Sequence, residues 1–339
     1  MKYQDLAPNK IVQIHPTRHC NLACLHCYSE SSPEQTESLN PALVCEFLSD
    51  MKKQGYAVAS FSGGEPLIYP GLKSVLEHAK NLGLSTSVVS NGILLTKNKL
   101  RELDGLIDTL AISVDGTPER HNKIRNSPKA FQRMSNNLRN LAGSNINLGF
   151  IHTLSDKSFE DIRWITDFCL EHKASLLQLH PLEKIGWTTD EFGKQVPNNE
   201  FCTRFFLFTF LLQQKHGGRI RFQIDLMNSS TLQKHPELVF AQKEFEFKGQ
   251  TLGELVNPII LEPSGDVLPM CYGFGRSYKL GNINERNFTP KNVYPYFQKG
   301  YSDFRKLCQQ SLEKAIATLE LPYFNWFEHL RRESLKISA

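Results

Sequence analysis

The 339-residue sequence lacks the features that mark several classes of protein. Its eight cysteines are far fewer than the roughly 8–10% of residues found in disulfide scaffolds. Its most apolar run, Phe205–Leu212, contains Thr209 and is much shorter than the roughly 20 residues that a membrane span needs. Its net charge of +4 is too small to indicate binding to nucleic acid or to an anionic membrane. We therefore expect a globular protein that has neither nucleic acid nor a membrane as a partner.

The amino-terminal segment also lacks a targeting signal. Met1–Lys10 is polar and has no basic stretch followed by an apolar run, so it does not resemble a secretory signal peptide. We expect a cytoplasmic protein, in which thiols stay reduced and clustered cysteines serve as metal ligands or catalysts more often than as disulfides. Because only these ten residues precede the first predicted strand, we expect no separate peptide-recognition domain there.

The sequence does contain a regular alternation of strand-like and helix-like segments as far as Pro181. The strands are nearly continuous apolar runs, which is typical of a parallel sheet covered by helices. Six strands are fewer than the eight of a closed barrel, so we predict an α/β fold with an open, partial (β/α)6 barrel. The predicted strands are Ile11–His15, Tyr56–Ser62, Leu84–Ser90, Ile107–Val114, Ile146–Leu154 and Ser175–His180.

Capping residues predict where two of the helices begin. Asn40 followed by Pro41 is typical of a helix start, with asparagine as the N-cap and proline in the first helical position. Ser158 and Asp161 have the spacing of a capping box, and we expect Ser158 to cap the helix that follows.

Beyond Pro181 the alternation is lost. We expect residues 1–185 to form the core domain and residues 186–339 to form a smaller α+β extension. The predicted elements of the extension are a helix near Phe201–Gln214, a strand at Arg219–Asp225, a hairpin at Pro258–Met270, and a helical tail at Tyr301–Ser338 that is broken near Pro322.

Three of the cysteines lie in one short loop after the first predicted strand. Cys20, Cys24 and Cys27 are thus placed at the carboxyl end of a parallel sheet, where such folds carry their sites. Three thiolates suit a four-iron cluster, because they ligate three of its irons and leave the fourth open. The alternative is a zinc ion bound by the thiols and by one of three nearby histidines, His15, His19 or His26.

The spacing Cys-x3-Cys-x2-Cys, followed by Tyr28, resembles the motif of the radical S-adenosylmethionine (radical SAM) superfamily. The resemblance extends from about Ile11 to Pro181, because further family-like segments follow the ends of successive predicted strands. It implies one [4Fe-4S] cluster ligated by Cys20, Cys24 and Cys27. It also implies that S-adenosylmethionine (SAM) binds beside the cluster, with Tyr28 among its contacts.

Ser62-Gly63-Gly64-Glu65-Pro66, after the second strand, resembles the Gly-Gly-Glu-Pro motif of that family. The resemblance implies that Gly63 and Gly64 let the backbone approach SAM closely and that Glu65 receives its amino group. Taken alone, the segment would be a glycine turn that closes a strand.

Two further segments resemble those that contact SAM in the family. Ser90, in Ser-Asn-Gly, follows the third strand, and Ser113 and Asp115 end the fourth, with Arg125 beyond them. The resemblance implies that these residues contact the ribose and the methionine carboxylate. A surface ion pair is an equally good interpretation of Asp115 and Arg125. The chain departs from the family pattern, which often has Asp and Gly at these places, at Asn122 and Asn126.

The end of the sixth strand carries polar residues that are candidates for contact with a substrate. Gln178, His180 and Glu183 follow one another there, where related enzymes contact the adenine and the substrate. Taken singly, each is better interpreted as an ordinary residue at the end of a strand or on the surface.

The resemblance implies an oxidoreductase-type enzyme that cleaves SAM reductively to a 5′-deoxyadenosyl radical, which abstracts hydrogen from a substrate. A flavodoxin or ferredoxin is implied as the electron donor. We expect the substrate to be a ribosomally synthesised peptide or a natural-product intermediate. One alternative is the dehydrogenation or epimerisation of a small-molecule metabolite. An alternative of another class is a non-catalytic zinc-binding protein on the same scaffold.

The later part of the chain resembles the extensions of the SPASM and twitch types, which bind auxiliary clusters in many relatives. Here Cys271 has only Cys308 after it and no Cys-x-x-Cys partner. We therefore predict a degenerate extension without an auxiliary cluster, with an unusual site at these two cysteines as the alternative. The remaining cysteines are expected to be small buried residues, namely Cys45, Cys169 and Cys202.

Overall fold

The computed structural model of the protein describes residues 9–188, 190–242, 250–285, 290–318 and 322–336. Numbered along the chain, the strands in these ranges are β1 (Ile11–Ile14), β2 (Val58–Phe61), β3 (Ser85–Ser90), β4 (Thr109–Ser113), β5 (Asn147–Leu154), β6 (Leu176–Pro181), β7 (Arg221–Ile224), β8 (Met227–Asn228), β9 (Ile259–Leu261), β10 (Asp266–Pro269), β11 (Gly281–Asn282) and β12 (Tyr323–Phe324).

The α-helices in the described ranges lie between the strands along the chain, and one follows the last strand. They are α1 (Pro41–Lys53), α2 (Leu72–Asn81), α3 (Lys97–Glu102), α4 (Pro118–Ile124), α5 (Ala130–Leu138), α6 (Ser158–Glu171), α7 (Asp190–Gly193), α8 (Asn199–His216), α9 (Ser229–Lys234), α10 (Leu252–Leu255), α11 (Pro290–Thr318) and α12 (Trp326–Lys336).

The six predicted strands are present as β1 to β6, and each is parallel to the next one in the chain. Helices α1, α2 and α6 connect successive strands, as a parallel sheet requires. The predicted α/β class is therefore confirmed. Parallel pairing also brings the carboxyl ends of these strands to one edge of the sheet, so the loops that follow them lie near each other.

The sheet continues beyond these six strands on both sides. Strand β7 pairs in parallel with β6, and β9 pairs in parallel with β1. Within the described residues the order of the large sheet is β11-β10-β9-β1-β2-β3-β4-β5-β6-β7. Strands from the predicted extension thus flank the core strands, and the division into residues 1–185 and 186–339 stays a prediction.

The strands are less uniformly apolar than expected. Along β1 and β2 the burial alternates, with buried residues such as Ile14 and Phe61 in the same core as Phe47 of α1. The half-buried positions between them include Gln13 and Ser60, which lie opposite each other. The expectation of nearly continuous apolar strands is therefore wrong for β1 and β2, because one face is buried and the other is half-buried and mixes polar residues with apolar ones such as Val58.

One predicted helix cap is present and the other is not. Asn40 caps α1, because its side chain accepts a hydrogen bond from the Ala42 amide at 2.9 Å. Ser158 is instead the first residue of α6. Its hydroxyl lies 2.9 Å from Nε2 of His152 and accepts from the Ser155 amide, so it does not satisfy the amides of the first helical turn.

The predicted elements of the extension are present. The predicted helix corresponds to α8, the predicted strand to β7 and the predicted hairpin to β9 and β10, which are antiparallel. The helical tail corresponds to α11 and α12, and β12 lies between them near the predicted break at Pro322. In the described part of the chain, no helix has the length and apolar character needed to cross a membrane.

Candidate functional site

The cysteine loop follows β1 and is held by its neighbours. The amide of Leu25 donates to the carbonyl of Ile124 at the end of α4, at 2.9 Å. Cys20 and Cys24 are buried, Cys27 is half-buried, and all three are free thiols. Burial raises the pKa of Cys20 to about 12 and that of Cys24 to about 11. The loop therefore presents three reduced thiols, and burial favours the neutral form of Cys20 and Cys24 until a cation or a metal stabilises the thiolate.

Each of the three sulfurs lies near a different polar group. Nδ2 of Asn91 is 3.9 Å from Sγ of Cys20, and Nη1 of Arg125 is 3.7 Å from Sγ of Cys24. Sγ of Cys27 accepts from the Ser31 amide at 3.3 Å. Two of these donors come from the segments after β3 and β4, so those segments meet at the cysteine loop.

Gly63 and Gly64 lie against the residues that lead into the cysteine loop. A Cβ on Gly64 would be 2.2 Å from the carbonyl oxygen of His19, and Gly63 has a φ of +106°. The amide of Gly64 donates to the carbonyl of Thr17 at 2.9 Å. In this structure the two glycines therefore permit a close approach between two loops of the chain itself.

Glu65 is fully buried and links two of the predicted motifs. Oε1 accepts from the Leu67 amide at 3.1 Å and from the Ser90 hydroxyl at 2.9 Å, and Oε2 accepts from the Asn91 amide at 2.9 Å. Burial raises the pKa of Glu65, although these hydrogen bonds oppose that effect. A carboxylate has about four acceptor positions, so the three bonds leave about one for another donor.

Asp115 and Arg125 form an ion pair that is buried, not one at the surface. Nε of Arg125 lies 2.5 Å from Oδ2 of Asp115, and the two side chains are 11% and 1% exposed. Burial alone would raise the pKa of Asp115, but the charges of Arg125 and His26 outweigh it and hold that pKa well below its usual range. Ser113, two residues earlier, is half-buried at the end of β4.

Tyr28 belongs to an aromatic group next to the cysteine loop. Its hydroxyl is 3.2 Å from Oγ of Ser62, and its ring contacts those of His15 and Tyr272. His15 is fully buried, and neither of its ring nitrogens makes a hydrogen bond within the described residues. Burial lowers the pKa of His15 to about 3, so its ring is neutral.

The other two histidines of the zinc alternative have partners elsewhere. Nδ1 of His19 is 2.9 Å from the carbonyl oxygen of Gln35, and Nε2 of His26 is 3.4 Å from Oδ2 of Asp115. Across the described ranges, no group of three or more His, Cys, Asp or Glu side chains is placed as a site for a metal ion.

Gln178 and His180 converge on a residue that the sequence analysis did not select. Oδ2 of Asp225, directly after β7, lies 2.8 Å from Nε2 of Gln178 and 3.0 Å from Nδ1 of His180, while Gln223 donates to its Oδ1 at 3.2 Å. Asp225 ends the predicted strand Arg219–Asp225. The signal was thus available, but the parallel pairing of that strand with β6 was not predicted.

Glu183 lies beside His180 and is tied to the last helix. Oε1 of Glu183 is 3.5 Å from Nε2 of His180 and accepts from Nδ2 of Asn325 at 2.9 Å. Arg331 of α12 is 3.8 Å away from Oε2. Burial alone would lower the pKa of His180, but the hydrogen bonds to Asp225 and Glu183 outweigh it and raise that pKa to about 10.

The two parts of the site touch. The amide of Trp187 donates to the carbonyl of Cys27 at 3.0 Å, so the loop after β6 packs on the cysteine loop. Burial raises the pKa of Tyr28, and the charge of Glu183 adds a smaller effect in the same direction. The structure therefore brings all of the sequence-selected segments to one edge of the sheet.

The donor set of the cysteine loop suits an iron–sulfur cluster. A four-iron cluster binds each thiolate at a different iron, so its ligands need not converge on one point as those of a single ion must. Three unoxidised thiols on one loop, each with a polar group near its sulfur, meet that requirement.

A sequence profile described as the Radical SAM superfamily matches residues 14–169, which include the cysteine loop and the segments after β2, β3 and β4. Residues 14–169 of the chain belong to the radical SAM superfamily. This confirms the predicted recognition and makes the chain a relative of enzymes. Membership implies a [4Fe-4S] cluster and SAM, while the number of clusters and their ligands remain predictions.

Two curated relatives that are similar in sequence to this chain differ in what their names describe. Fe-coproporphyrin III synthase of Methanosarcina barkeri is 24% identical over 284 residues, which cover 80% of this chain and 71% of the relative. The sporulation killing factor maturation protein SkfB of Bacillus subtilis is 24% identical over 177 residues. The match to SkfB covers 52% of this chain and only 43% of SkfB, so it does not show that the two proteins share an activity.

Solved radical SAM structures share the fold. Native anSMEcpe with bound AdoMet and Kp18Cys peptide superposes with a TM-score of 0.64 at 17% identity, over 97% of this chain and 96% of that one. SuiB of Streptococcus suis bound to its precursor peptide SuiA gives 0.58 at 18% identity, over 79% and 61%. These neighbours confirm the predicted partial-barrel class.

Proposed function

We propose that this chain uses one [4Fe-4S] cluster, ligated by Cys20, Cys24 and Cys27, to cleave SAM reductively. The observation that carries the proposal is the meeting of three free thiols with the segments after β2, β3 and β4 at one edge of the sheet. When bound, the cluster and SAM supply one-electron chemistry that yields a 5′-deoxyadenosyl radical, which abstracts hydrogen from the substrate.

The residues after β2 and β3 would hold the amino group of SAM. Glu65 is buried as an acceptor with about one position left, and a cationic amino group there would offset the cost of burying its charge. Gly63 and Gly64 shape the backbone beside it, and Ser90 fixes the carboxylate. Tyr28 stands next to this group through its contact with Ser62.

The residues after β4 would hold the ribose and the methionine carboxylate. Ser113 offers a half-buried hydroxyl at the strand end, and Asp115 fixes Arg125. Arg125 uses Nε and Nη1 within the protein, whereas its Nη2 makes no hydrogen bond with any described residue. That nitrogen is the group with which Arg125 would reach a carboxylate.

The substrate we propose is a ribosomally synthesised peptide or a natural-product intermediate, bound beside Gln178, His180 and Glu183. SkfB is named as a maturation protein, and SuiB is bound to a precursor peptide, which supports this class. A small-molecule metabolite is the second candidate, because the match to Fe-coproporphyrin III synthase covers 80% of this chain. A flavodoxin or ferredoxin would deliver the electron.

Residues 186–339 would form a SPASM- or twitch-like extension without an auxiliary cluster. Cys308 is fully buried within α11, and Sγ of Cys271 lies 3.9 Å from the carbonyl oxygen of Phe327. Burial raises the pKa of both thiols. Burial has the same effect on Cys20 and Cys24, so the proposal rests on the lack of a Cys-x-x-Cys partner for Cys271 in the sequence.

Anaerobic reconstitution tests the proposed function. We expect about four irons and four sulfides per chain, and 5′-deoxyadenosine formation when dithionite and SAM are added. Cys24→Ala should abolish that formation, whereas Cys45→Ala, a half-buried cysteine of α1, should retain it. Stoichiometric zinc without sulfide, or unchanged turnover by Cys24→Ala, would overturn the proposal. Deuterium transfer from a labelled candidate peptide to 5′-deoxyadenosine would identify the substrate class.

A further inference from the structure

The three sulfurs of the cysteine loop differ in the charge of their polar neighbours. Cys20 faces the neutral amide of Asn91, and Cys27 faces the neutral backbone amide of Ser31. Cys24 alone of the three faces a cation within hydrogen-bond distance in the described residues, the guanidinium of Arg125 at 3.7 Å. The environment of the loop is therefore electrostatically asymmetric.

The position of Arg125 is fixed by groups other than the thiol. Nε of Arg125 donates to Oδ2 of Asp115 at 2.5 Å, and both side chains are buried. The backbone amide of Arg125 donates to the carbonyl of His121 at 2.8 Å, which places it at the end of α4. That same turn receives the Leu25 amide, so the guanidinium and the cysteine loop share one anchor.

We infer that Arg125 is a positioning residue that raises the reduction potential of the cluster through Sγ of Cys24, and that Asp115 holds it there. The inference deepens the proposed function and rests on Cys24 being a cluster ligand. Hydrogen bonds to the sulfurs and nearby charge are among the factors that set cluster potentials. A fixed cation beside a thiolate stabilises the reduced cluster, which carries one more negative charge, more than the oxidised one.

The low dielectric of the site makes this contact effective. Cys24 is 6% exposed and Arg125 is 9% exposed, so water screens little of the interaction between them. Asp115 is nearer to the Nε side of the guanidinium, whereas Nη1 faces the sulfur. The positive end of the ion pair is therefore the end that the thiolate meets.

The test is a potentiometric titration of the reconstituted protein, followed by the electron paramagnetic resonance of the reduced cluster. The titration is run without SAM, so that a contact between Arg125 and SAM does not affect the measured potential. We expect Arg125→Gln to lower the midpoint potential by about 59 mV. For a one-electron couple, this shift corresponds to an about tenfold smaller ratio of reduced to oxidised cluster at a fixed potential. Arg125→Lys, which keeps the charge but not the fork, should give a smaller shift in the same direction.

Arg120→Gln is the matched control. Arg120 lies in α4, which ends just before Arg125, but pairs with Glu160 and Asp161 of α6, so its loss should leave the potential unchanged. Iron and sulfide content is measured for every variant. An unchanged potential in Arg125→Gln with full cluster content overturns the inference, and if that variant does not fold, an unchanged potential in Arg125→Met, which also removes the charge, does so. Absence of a [4Fe-4S] cluster from the unmodified protein would instead overturn the proposed function.

Discussion

The carboxylate of Glu65 accepts a hydrogen bond from the backbone amide of Asn91, with 2.9 Å between Oε2 and the nitrogen. The same carboxylate accepts from the hydroxyl of Ser90. Because Asn91 in turn approaches Sγ of Cys20, the turns after β2 and β3 and the cysteine loop form one connected unit. A change at Glu65 should therefore alter both ligand binding and the contacts of the cysteine loop.

Glu65→Gln should weaken SAM binding, and its NH2 group would also face the backbone amide of Leu67 or of Asn91, which now donates to the carboxylate. The amide keeps the volume of the side chain but removes the charge that would pair with the SAM amino group. A hydrogen bond to a charged group is worth roughly 1.5–3 kcal/mol, so Kd should rise about 10- to 100-fold. Isothermal titration of the reconstituted protein measures this Kd. Glu77→Gln, in an exposed ion pair on α2, is the control, and equal affinities in all three proteins would contradict the role of Glu65.

Gly64→Ala should destabilise the protein because the new methyl group meets backbone. Its Cβ would lie 2.2 Å from the carbonyl oxygen of His19, and backbone cannot move aside as a flexible side chain can. Overpacking of this kind costs about 1–3 kcal/mol. Urea unfolding measures the loss. Gly218→Ala is the matched control, because no atom in the described structure lies within 4 Å of its Cβ, and a similar loss in both variants would refute this reason for Gly64.

The parts of the site that lie on consecutive strands could be predicted from the sequence. Parallel strands that follow each other in the chain pair in order here, so the segments ending in Glu65, Ser90 and Asp115 had to meet at one edge of the sheet. Their hydrogen bonds could not be predicted, because the contact of Arg125 with Cys24 joins residues 101 positions apart. It depends on how the loops fold back, which no local pattern encodes.

The substrate side was harder to predict because it combines distant strands and a helix. Asp225 reaches His180 only because β7 pairs with β6 in the sheet. The sequence of a strand of only four residues does not predict which strand it pairs with. Asn325 reaches Glu183 across 142 positions. The failed cap at Ser158 has a similar cause, because His152 on the neighbouring strand competes for its hydroxyl.

His180 should make the stability of the protein fall as the solution becomes alkaline. Its pKa is raised to about 10 by Asp225 and Glu183, against an unfolded value of about 6.5. The protonated ring therefore stabilises the fold fully below about pH 6.5, and this contribution is lost as pH rises through about 10. Urea unfolding of the protein and of His180→Gln at several pH values should show their stability difference shrinking over this interval.

His216→Gln is the control for that experiment. His216 lies in the last turn of α8, and its pKa is lowered, mainly by burial and the charge of Lys215. Its ring is therefore neutral in both the folded and the unfolded protein above about pH 7.5. A stability difference for His180→Gln that is independent of pH would show that its ring is not held protonated.

Cys271→Ala combined with Cys308→Ala should leave the iron content unchanged. Cys308 is fully buried in α11, and Cys271 lies against the carbonyl of Phe327. We expect about four irons per chain in this double variant, as in the unmodified protein. The triple variant with alanine at Cys20, Cys24 and Cys27 should hold no cluster. Visible absorbance of a cluster in the triple variant, or lost iron in the double variant, would reveal an auxiliary site.

Asn325→Asp should loosen α12 without removing its cap. The side chain of Asn325 has two roles, since its Oδ1 accepts from the Glu328 amide and its Nδ2 donates to Glu183. Aspartate keeps the first role, as a good N-cap, but places a second carboxylate against Glu183. Loss of such a buried hydrogen bond costs about 1–3 kcal/mol, so amides of α12 should exchange with solvent about 10-fold faster or more.

Asn40→Asp separates the two roles in the same experiment. Asn40 caps α1 at the exposed Ala42 amide and shows no other side-chain hydrogen bond in the described structure, so its replacement should leave exchange in α1 unchanged. Faster exchange confined to α12 in Asn325→Asp would establish that Glu183 holds the last helix over the substrate side. Equal exchange in α12 of Asn325→Asp and the unmodified protein would mean that apolar contacts such as that of Trp326 in the core hold this helix without help from Glu183.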